Sequence, residues 1–205
     1  MRDFTVFISV AEIRTIFDKS SPEDLHDDWN GARASVALIL VNHMDDLNIC
    51  FIKRAKRDGD PWSGQVALPG GRATDDEDAF TVAERETFEE VGIMLPRTKC
   101  IGRLESIDVS SNLNRQSLLL SPVLYFLEEN VLGQARVASP SEVDSVFWVP
   151  MSHLFDPKSH TTIRYPNASK SEAYPGIGFE HYVIWGLTLR VLRNFAEVIG
   201  RNLPH

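Results

Sequence analysis

Residues 70–93, GGRATDDEDAFTVAERETFEEVGI, constrain what this chain can fold into more than any other stretch. They read as a tight glycine turn feeding a helix. Thr74 and Glu77 stand in the Thr-x-x-Glu spacing of a capping box, where a hydroxyl accepts from the helix's free N–H groups and the Glu reaches back to the cap's own N–H. The helix is therefore expected to begin near Asp75. Asp75, Asp76 and Asp78 would then crowd its first turn, where the helix dipole favours negative charge, and Gly92 would end it.

On such a helix Glu86, Glu89 and Glu90 are three and four residues apart, which places their carboxylates on one face. Like charges so placed repel, by a few tenths of a kcal/mol per pair when exposed and by more when buried. Arg85, four before Glu89, offsets only part of the charge. A hard cation with oxygen ligands would relieve the rest. Mg²⁺ or Mn²⁺ suits the cluster better than Zn²⁺, because no Cys or His joins it. The plain alternative is an acidic, solvated helix face, the commoner meaning of a charge run.

Elsewhere the pattern is that of one α/β unit. Residues 4–18 have helical apolar spacing at Val10, Ile13, Ile16 and Phe17 after a Ser9 cap, and residues up to 30 read as a polar connection. Residues 34–41 are a buried strand, 42–48 its turn and 48–54 the returning strand, which delivers the basic group Lys53, Arg54, Lys56 and Arg57. Residues 58–64 form a loop in which Trp62 is either a platform for a base or a hydrophobic plug. Residues 65–69 make a short strand, and 100–109 and 118–128 two more, with Pro122 suggesting an edge or a bulge. Residues 142–149 alternate as a strand, 156–180 have loop composition, and 182–199 carry a helical apolar stripe. The expected organisation is an N-terminal helix and connection over 1–30 and a single domain over 31–205, closed by a packing helix.

Charge and cysteine content narrow the functional classes. A net charge of −8 argues against broad nucleic-acid binding, which needs a basic surface, but leaves room for a nucleotide bridged by metal ions and a few Arg or Lys. Cys50 and Cys100 sit inside apolar runs and read as free thiols of a reducing compartment. No leader or membrane-spanning window is evident, so a cytoplasmic enzyme is expected. There is no Gly-x-Ser-x-Gly elbow, no Walker phosphate loop, and no His-Glu-x-x-His zinc spacing.

The spacing around the acidic helix reverses the odds against the solvated-face reading. From Gly71 the chain runs five residues to Glu77, seven more to Arg85, then Glu86-Thr87-Phe88-Glu89-Glu90-Val91-Gly92-Ile93. This resembles the signature box of the Nudix hydrolases, with Thr87 where an aliphatic residue is usual. The resemblance implies an α/β/α sandwich with a central mixed sheet, and an enzyme that cuts a nucleoside diphosphate linked to another moiety by water attack, using Mg²⁺ or Mn²⁺. Carried over by position, Glu86, Glu89 and Glu90 would bind the metal, with the Gly71 carbonyl as a further ligand. Arg85 would orient a glutamate, Glu77 would brace the helix, and Glu142 would be an extra ligand or base, or else a surface Glu beside a turn. A narrower similarity is to the coenzyme A pyrophosphatase branch, through Arg54, Gly64, Pro69-Gly70-Gly71 and residues 142–150 and 184–192. Leu68, Ile52 and the distance of Arg57 from Gly64 depart from that branch. Arg54, Arg57, Trp62, Gly70 and Arg72 are the expected substrate contacts. Coenzyme A or a derivative leads as substrate, ADP-ribose or another nucleotide conjugate follows, and a non-catalytic nucleotide- or RNA-binding module is the reading from another class. The expected partner is thus a small nucleotide diphosphate, with no nucleic acid and no membrane; a homodimer is left open.

Overall fold

The computed structural model describes residues 8–19, 29, 31–60, 62–74, 76–109, 117–164 and 173–204. Helix α1 (Val10–Lys19) is capped as expected: the Ser9 hydroxyl accepts the Glu12 N–H at 3.2 Å, and the Glu12 carboxylate accepts the Ser9 N–H at 2.7 Å. Residues 4–7 of the expected helix lie outside the described residues. Strands β1 (Ala32–His43) and β2 (Asp46–Arg54) form a hairpin closed by only Met44 and Asp45, with φ of 50° and 60°. Two left-handed residues make a type I′ turn, whose twist suits the paired strands, so the expected turn over 42–48 shrinks to two residues.

After the hairpin come β3 (Val66–Ala67) and β4 (Gly70–Arg72). The expected glycine turn is in fact strand: Gly70, Gly71 and Arg72 pair antiparallel with Val36, Ser35 and Ala34 of β1. Helix α2 (Ala79–Val91) begins four residues later than the capping-box reading placed it. Thr74 and Glu77 do bond, the Glu77 carboxylate accepting the Thr74 N–H at 2.9 Å and its hydroxyl at 2.8 Å, but they close a separate turn. The cap is Asp78, in extended backbone conformation, whose Oδ1 accepts the Thr81 N–H at 2.7 Å. Gly92 ends the helix as expected, with φ 72° and its N–H on the Phe88 carbonyl.

The expected strand over 100–109 is broken into β5 (Cys100–Arg103) and β6 (Ile107–Asp108). Both pair with β7 (Leu118–Leu127), which on its other side runs parallel to β1. Pro122 is therefore not on an edge. Its carbonyl accepts the Leu104 N–H at 3.0 Å, so the side of Pro122 that lacks a donor faces the interval between β5 and β6, where no ladder bond is needed. Strand β8 (Val143–Pro150) pairs with β2 and leads into the one-turn helix α3 (Met151–Leu154).

Residues expected as loop and helix supply a second sheet. Strands β9 (His160–Ile163), β10 (Tyr174–Phe179) and β11 (Tyr182–Trp185) pair antiparallel in the order β11-β10-β9. The Pro and Gly content of β10 disguises it, and the aromatic and β-branched run Tyr182-Val183-Ile184-Trp185 favours strand over the helix assigned to it. Gly186, at φ 60°, breaks that strand, and α4 (Gly186–Val198) follows.

The layers follow from strict alternation along β1. Leu38 and Leu40 enter one core with Ile13 and Phe17 of α1 and Leu189, Leu192 and Phe195 of α4, whereas Ala37, Ile39 and Val41 enter a second core with Ala83 and Val91 of α2. Burial on both faces is why β1 reads as an unbroken apolar run. The result is the expected α/β/α arrangement around a mixed sheet. Cys50 is buried, Cys100 half-buried, and both are free. Among the described residues no helix is long and apolar enough to cross a membrane.

Candidate active site

Strand β4 lies under α2, and the two glycines explain how closely. A Cβ on Gly71 would stand 2.3 Å from the Glu86 carboxyl carbon and from Oε1, and one on Gly70 would stand 2.2 Å from the Ser35 carbonyl oxygen. Gly70 also holds φ 153°, a conformation that L side chains rarely adopt. The carboxylate of Glu90, 2% exposed, accepts the Gly70 N–H at 2.9 Å. Burial pushes the Glu90 carboxyl up to about 8, against the lowering effect of that hydrogen bond, and the neighbouring Glu86 adds to the rise. Burial likewise raises the Glu86 carboxyl, with Arg85 opposing it.

Arg85 is the brace of this wall. Its Nε and Nη2 donate to the two oxygens of Glu77 at 2.8 and 2.9 Å, and its Nη1 donates to Glu86 at 2.8 Å and to Glu89 at 3.2 Å. Nη2 also reaches the Arg72 carbonyl at 3.2 Å, tying α2 to β4. Glu77 is accordingly held down at about 2, chiefly by Arg85 and then by Thr74.

A second wall comes from the end of β2 and the segment between β2 and β3. Arg54 ends β2 where the pairing with β8 shifts register, and its Nη2 donates to Asp60 at 2.8 Å. Arg57 donates through Nε to the Ser141 carbonyl at 2.6 Å and through Nη2 to Glu142 at 3.0 Å. Trp62 is partly buried against the α1/α4 core, and its N–H is accepted by Asp60 at 2.9 Å.

Between these walls lies a cavity of about 490 Å³. Glu86, Glu90, Glu142, Arg54, Arg57, Trp62, Gly70, Gly71 and Arg72 all line it. Two of the sequence candidates do not: Arg85 acts from behind the wall, and Glu89, with half its side chain exposed, stands beside it. Trp62 both packs on the core and lines the cavity, so its two readings are compatible. Sequence reasoning missed Asp60, and also Leu187 and Thr188, which bring the start of α4 to the cavity. An Asp two residues before the Trp in a Gly- and Pro-containing loop is the local signal for an Asx-type turn and could have marked Asp60. Leu187 and Thr188 carry no local signal.

The donor set is suited to a hard divalent cation. It offers oxygen only, and it contains one buried carboxylate, Glu90, and one partly buried, Glu86, whose ionised forms are penalised by their surroundings. In the arrangement described, no three His, Cys, Asp or Glu side chains among the described residues are grouped closely enough to hold an ion. Glu86 and Glu89 share the Arg85 guanidinium, and Glu90 is turned to Gly70.

Residues 31–168 match the NUDIX domain. This chain belongs to the Nudix family. A relative described as an uncharacterized Nudix hydrolase, NudL of Salmonella paratyphi B, is 30% identical over 186 residues, covering 90% of this chain and 91% of the relative. An uncharacterized protein of Schizosaccharomyces pombe is 35% identical over 131 residues, which span 62% of this chain but only 39% of that protein. Among solved structures, a MutT/nudix family protein from Enterococcus faecalis superposes with a TM-score of 0.59 at 18% identity, over 94% of this chain and 70% of that one. At that identity the likeness is one of Nudix fold.

Proposed function

We propose that this Nudix hydrolase is a divalent-metal-dependent pyrophosphohydrolase that cleaves a nucleoside diphosphate linked to another moiety. The observation that carries the reading is the cavity, lined by carboxylates from α2 together with Arg54, Arg57 and Trp62. Glu86, Glu89 and Glu90, with the Gly71 carbonyl, would hold Mg²⁺ or Mn²⁺. A bound ion of this kind acidifies water and offsets charge on phosphate oxygens. Arg85 orients Glu86 and Glu89 by donating to both carboxylates. One of the three glutamates, or Glu142, takes the proton from the attacking water. Arg54 and Arg57 meet the phosphates, and Trp62 offers a face to a base.

Coenzyme A or a derivative is the substrate we favour, cut to 3′,5′-ADP and 4′-phosphopantetheine. Besides the resemblance of the upstream segment to that branch, the cavity is also lined by the apolar side chains of Val66, Leu68, Leu120, Leu187 and Val191, which suit an uncharged arm. All three box carboxylates are present, which counts against a module that only binds nucleotide. The test is incubation of coenzyme A, ADP-ribose, nucleotide sugars and dinucleotides with Mg²⁺ or Mn²⁺, with products identified by mass. Release of 3′,5′-ADP from coenzyme A is expected. No cleavage of any diphosphate in the panel would end the proposal.

A further inference from the structure

We propose that Asp60 is a positioning residue, holding the Arg54 guanidinium toward the phosphate end of the substrate against the pull of the glutamates that line the same cavity. The proposal rests on the nucleotide-diphosphate reading above. Asp60 comes from the loop between β2 and β3, yet its side chain is only 17% exposed. One of its oxygens accepts from Arg54 Nη2 at 2.8 Å, the other accepts the Trp62 N–H at 2.9 Å, and its carbonyl accepts the Ser63 N–H at 3.1 Å. A single carboxylate thus fixes the cationic group and closes the turn that carries the aromatic one.

Arg54 has another draw upon it. Glu90, Glu86 and Glu142 line the same cavity, and the Arg54 charge is felt at Glu90. Arg54 Nε is buried and has no acceptor among the described residues. A buried donor left open costs stability, so its retention at a cavity wall points to an acceptor arriving with a ligand, and a phosphate oxygen fits a guanidinium. Asp60 supplies the opposing pull. Without it the guanidinium would swing toward the carboxylates that the reaction needs.

The sign of the effect separates position from charge. If Asp60 only screened Arg54, Asp60→Asn would leave a fuller positive charge and tighten an anionic ligand. If Asp60 positions Arg54, the same substitution weakens the ligand, while the Asn oxygen still accepts the Trp62 N–H. The probe is ADP with Mg²⁺, titrated calorimetrically into wild type, Asp60→Asn, Arg54→Gln and the double variant. Weakening by about threefold to tenfold is expected in each single variant, with the double variant close to Arg54→Gln alone, because coupled residues are not additive. Unchanged or tighter binding by Asp60→Asn, losses that add, or no binding of ADP by wild type would overturn the proposal. Should Asp60→Asn fail to fold, Asp60→Glu keeps the charge and moves it by one methylene; it is expected to weaken ADP, and unaltered affinity overturns the proposal equally. Turnover of coenzyme A and ADP-ribose by wild type is scored separately. Its absence with the binding pattern intact would remove the hydrolase reading and keep the role of Asp60.

Discussion

The two walls of the cavity are built by different means. The α2 wall is backbone geometry: a helix sets the spacing of Glu86, Glu89 and Glu90, and a glycine strand lets the helix sit close enough for the Gly70 N–H to meet Glu90. The other wall is built of side-chain ion pairs between separate segments, Arg54 at the end of β2 on Asp60 of the following loop, and Arg57 of that loop on Glu142 just before β8. A helix face tolerates little adjustment, whereas a more exposed ion pair such as Arg57 on Glu142, each 39% exposed, contributes little stability. This division suits a site in which one wall performs chemistry and the other selects and orients the substrate. It also means that substitutions on the first wall should fall on turnover and those on the second on affinity.

The largest effect is expected from Glu90→Gln. The Gln oxygen can keep the Gly70 hydrogen bond, but a ligand charge is lost, and turnover should drop by about 10³-fold or more. Stability should not drop with it, because a buried carboxylate destabilises the fold when ionised. A thermal melt alongside the activity assay checks both; near-wild-type turnover with Mg²⁺ would remove Glu90 from the mechanism. Next comes Gly71→Ala. The atom that the new methyl meets is the end of the flexible Glu86 side chain, so the fold can absorb it while the carboxylate cannot stay in place. A displacement on the order of 1 Å costs about 10²-fold in rate. Loss of turnover with a nearly unchanged melting temperature is expected, and unaffected turnover would show that Glu86 need not sit where it does.

The same division explains what could be read from the chain beforehand. The α2 wall was legible because its chemistry depends on spacing within one helix: Arg85, Glu86, Glu89, Glu90 and Gly92 are fixed relative to one another wherever the helix begins. That is why placing the start at Asp75 instead of Ala79 did no harm to the carboxylate reading. The β1 strand was equally legible, since burial on both faces leaves an unmistakable apolar run. Less could be seen where pairing partners decide. The strand over Gly70–Arg72 exists because β1 is there to receive it, and Pro122 is tolerated inside the sheet because β5 and β6 leave an interval opposite it. Leu187 and Thr188 reach the cavity only through the docking of α4, and an apolar helical stripe does not mark which of its residues will line a cavity. Asp60 was missed because its importance lies in two simultaneous bonds rather than in its residue type.

Arg85→Ala should have an intermediate effect, and it joins the two kinds of construction. The substitution removes the bonds to Glu77, Glu86 and Glu89 together. A fall in Tm of roughly 5 °C is expected near neutral pH. The pH dependence has a definite sign. Because the folded-state pKa of Glu77 is depressed to about 2, its contribution to stability is present above the ordinary carboxylate range and is lost as pH falls toward 2. Arg85 is the main cause of that depression, so the acid limb of the stability curve should be flatter in the variant. Denaturant midpoints from pH 7 down to pH 2 would show it, and parallel acid limbs in the two proteins would mean that Arg85 does not hold Glu77 as described.

The smallest effect is expected at Arg57, and it is the one that most sharpens the contrast between the walls. Arg57 and Glu142 are each 39% exposed, so breaking their pair should change stability by less than about 1 kcal/mol. Arg57→Gln removes a cation from the cavity and frees Glu142 at the same time. If Arg57 meets a phosphate, KM should rise by about threefold while kcat stays within about twofold, the pattern of an interaction lost equally from ground and transition states. If its main work is to tether Glu142, kcat should fall and KM stay put, and Glu142→Gln should then reproduce the defect without adding to it. The first outcome keeps Arg57 on the selecting wall. The second would move the Arg57–Glu142 pair across the cavity, to the wall where the chemistry is done.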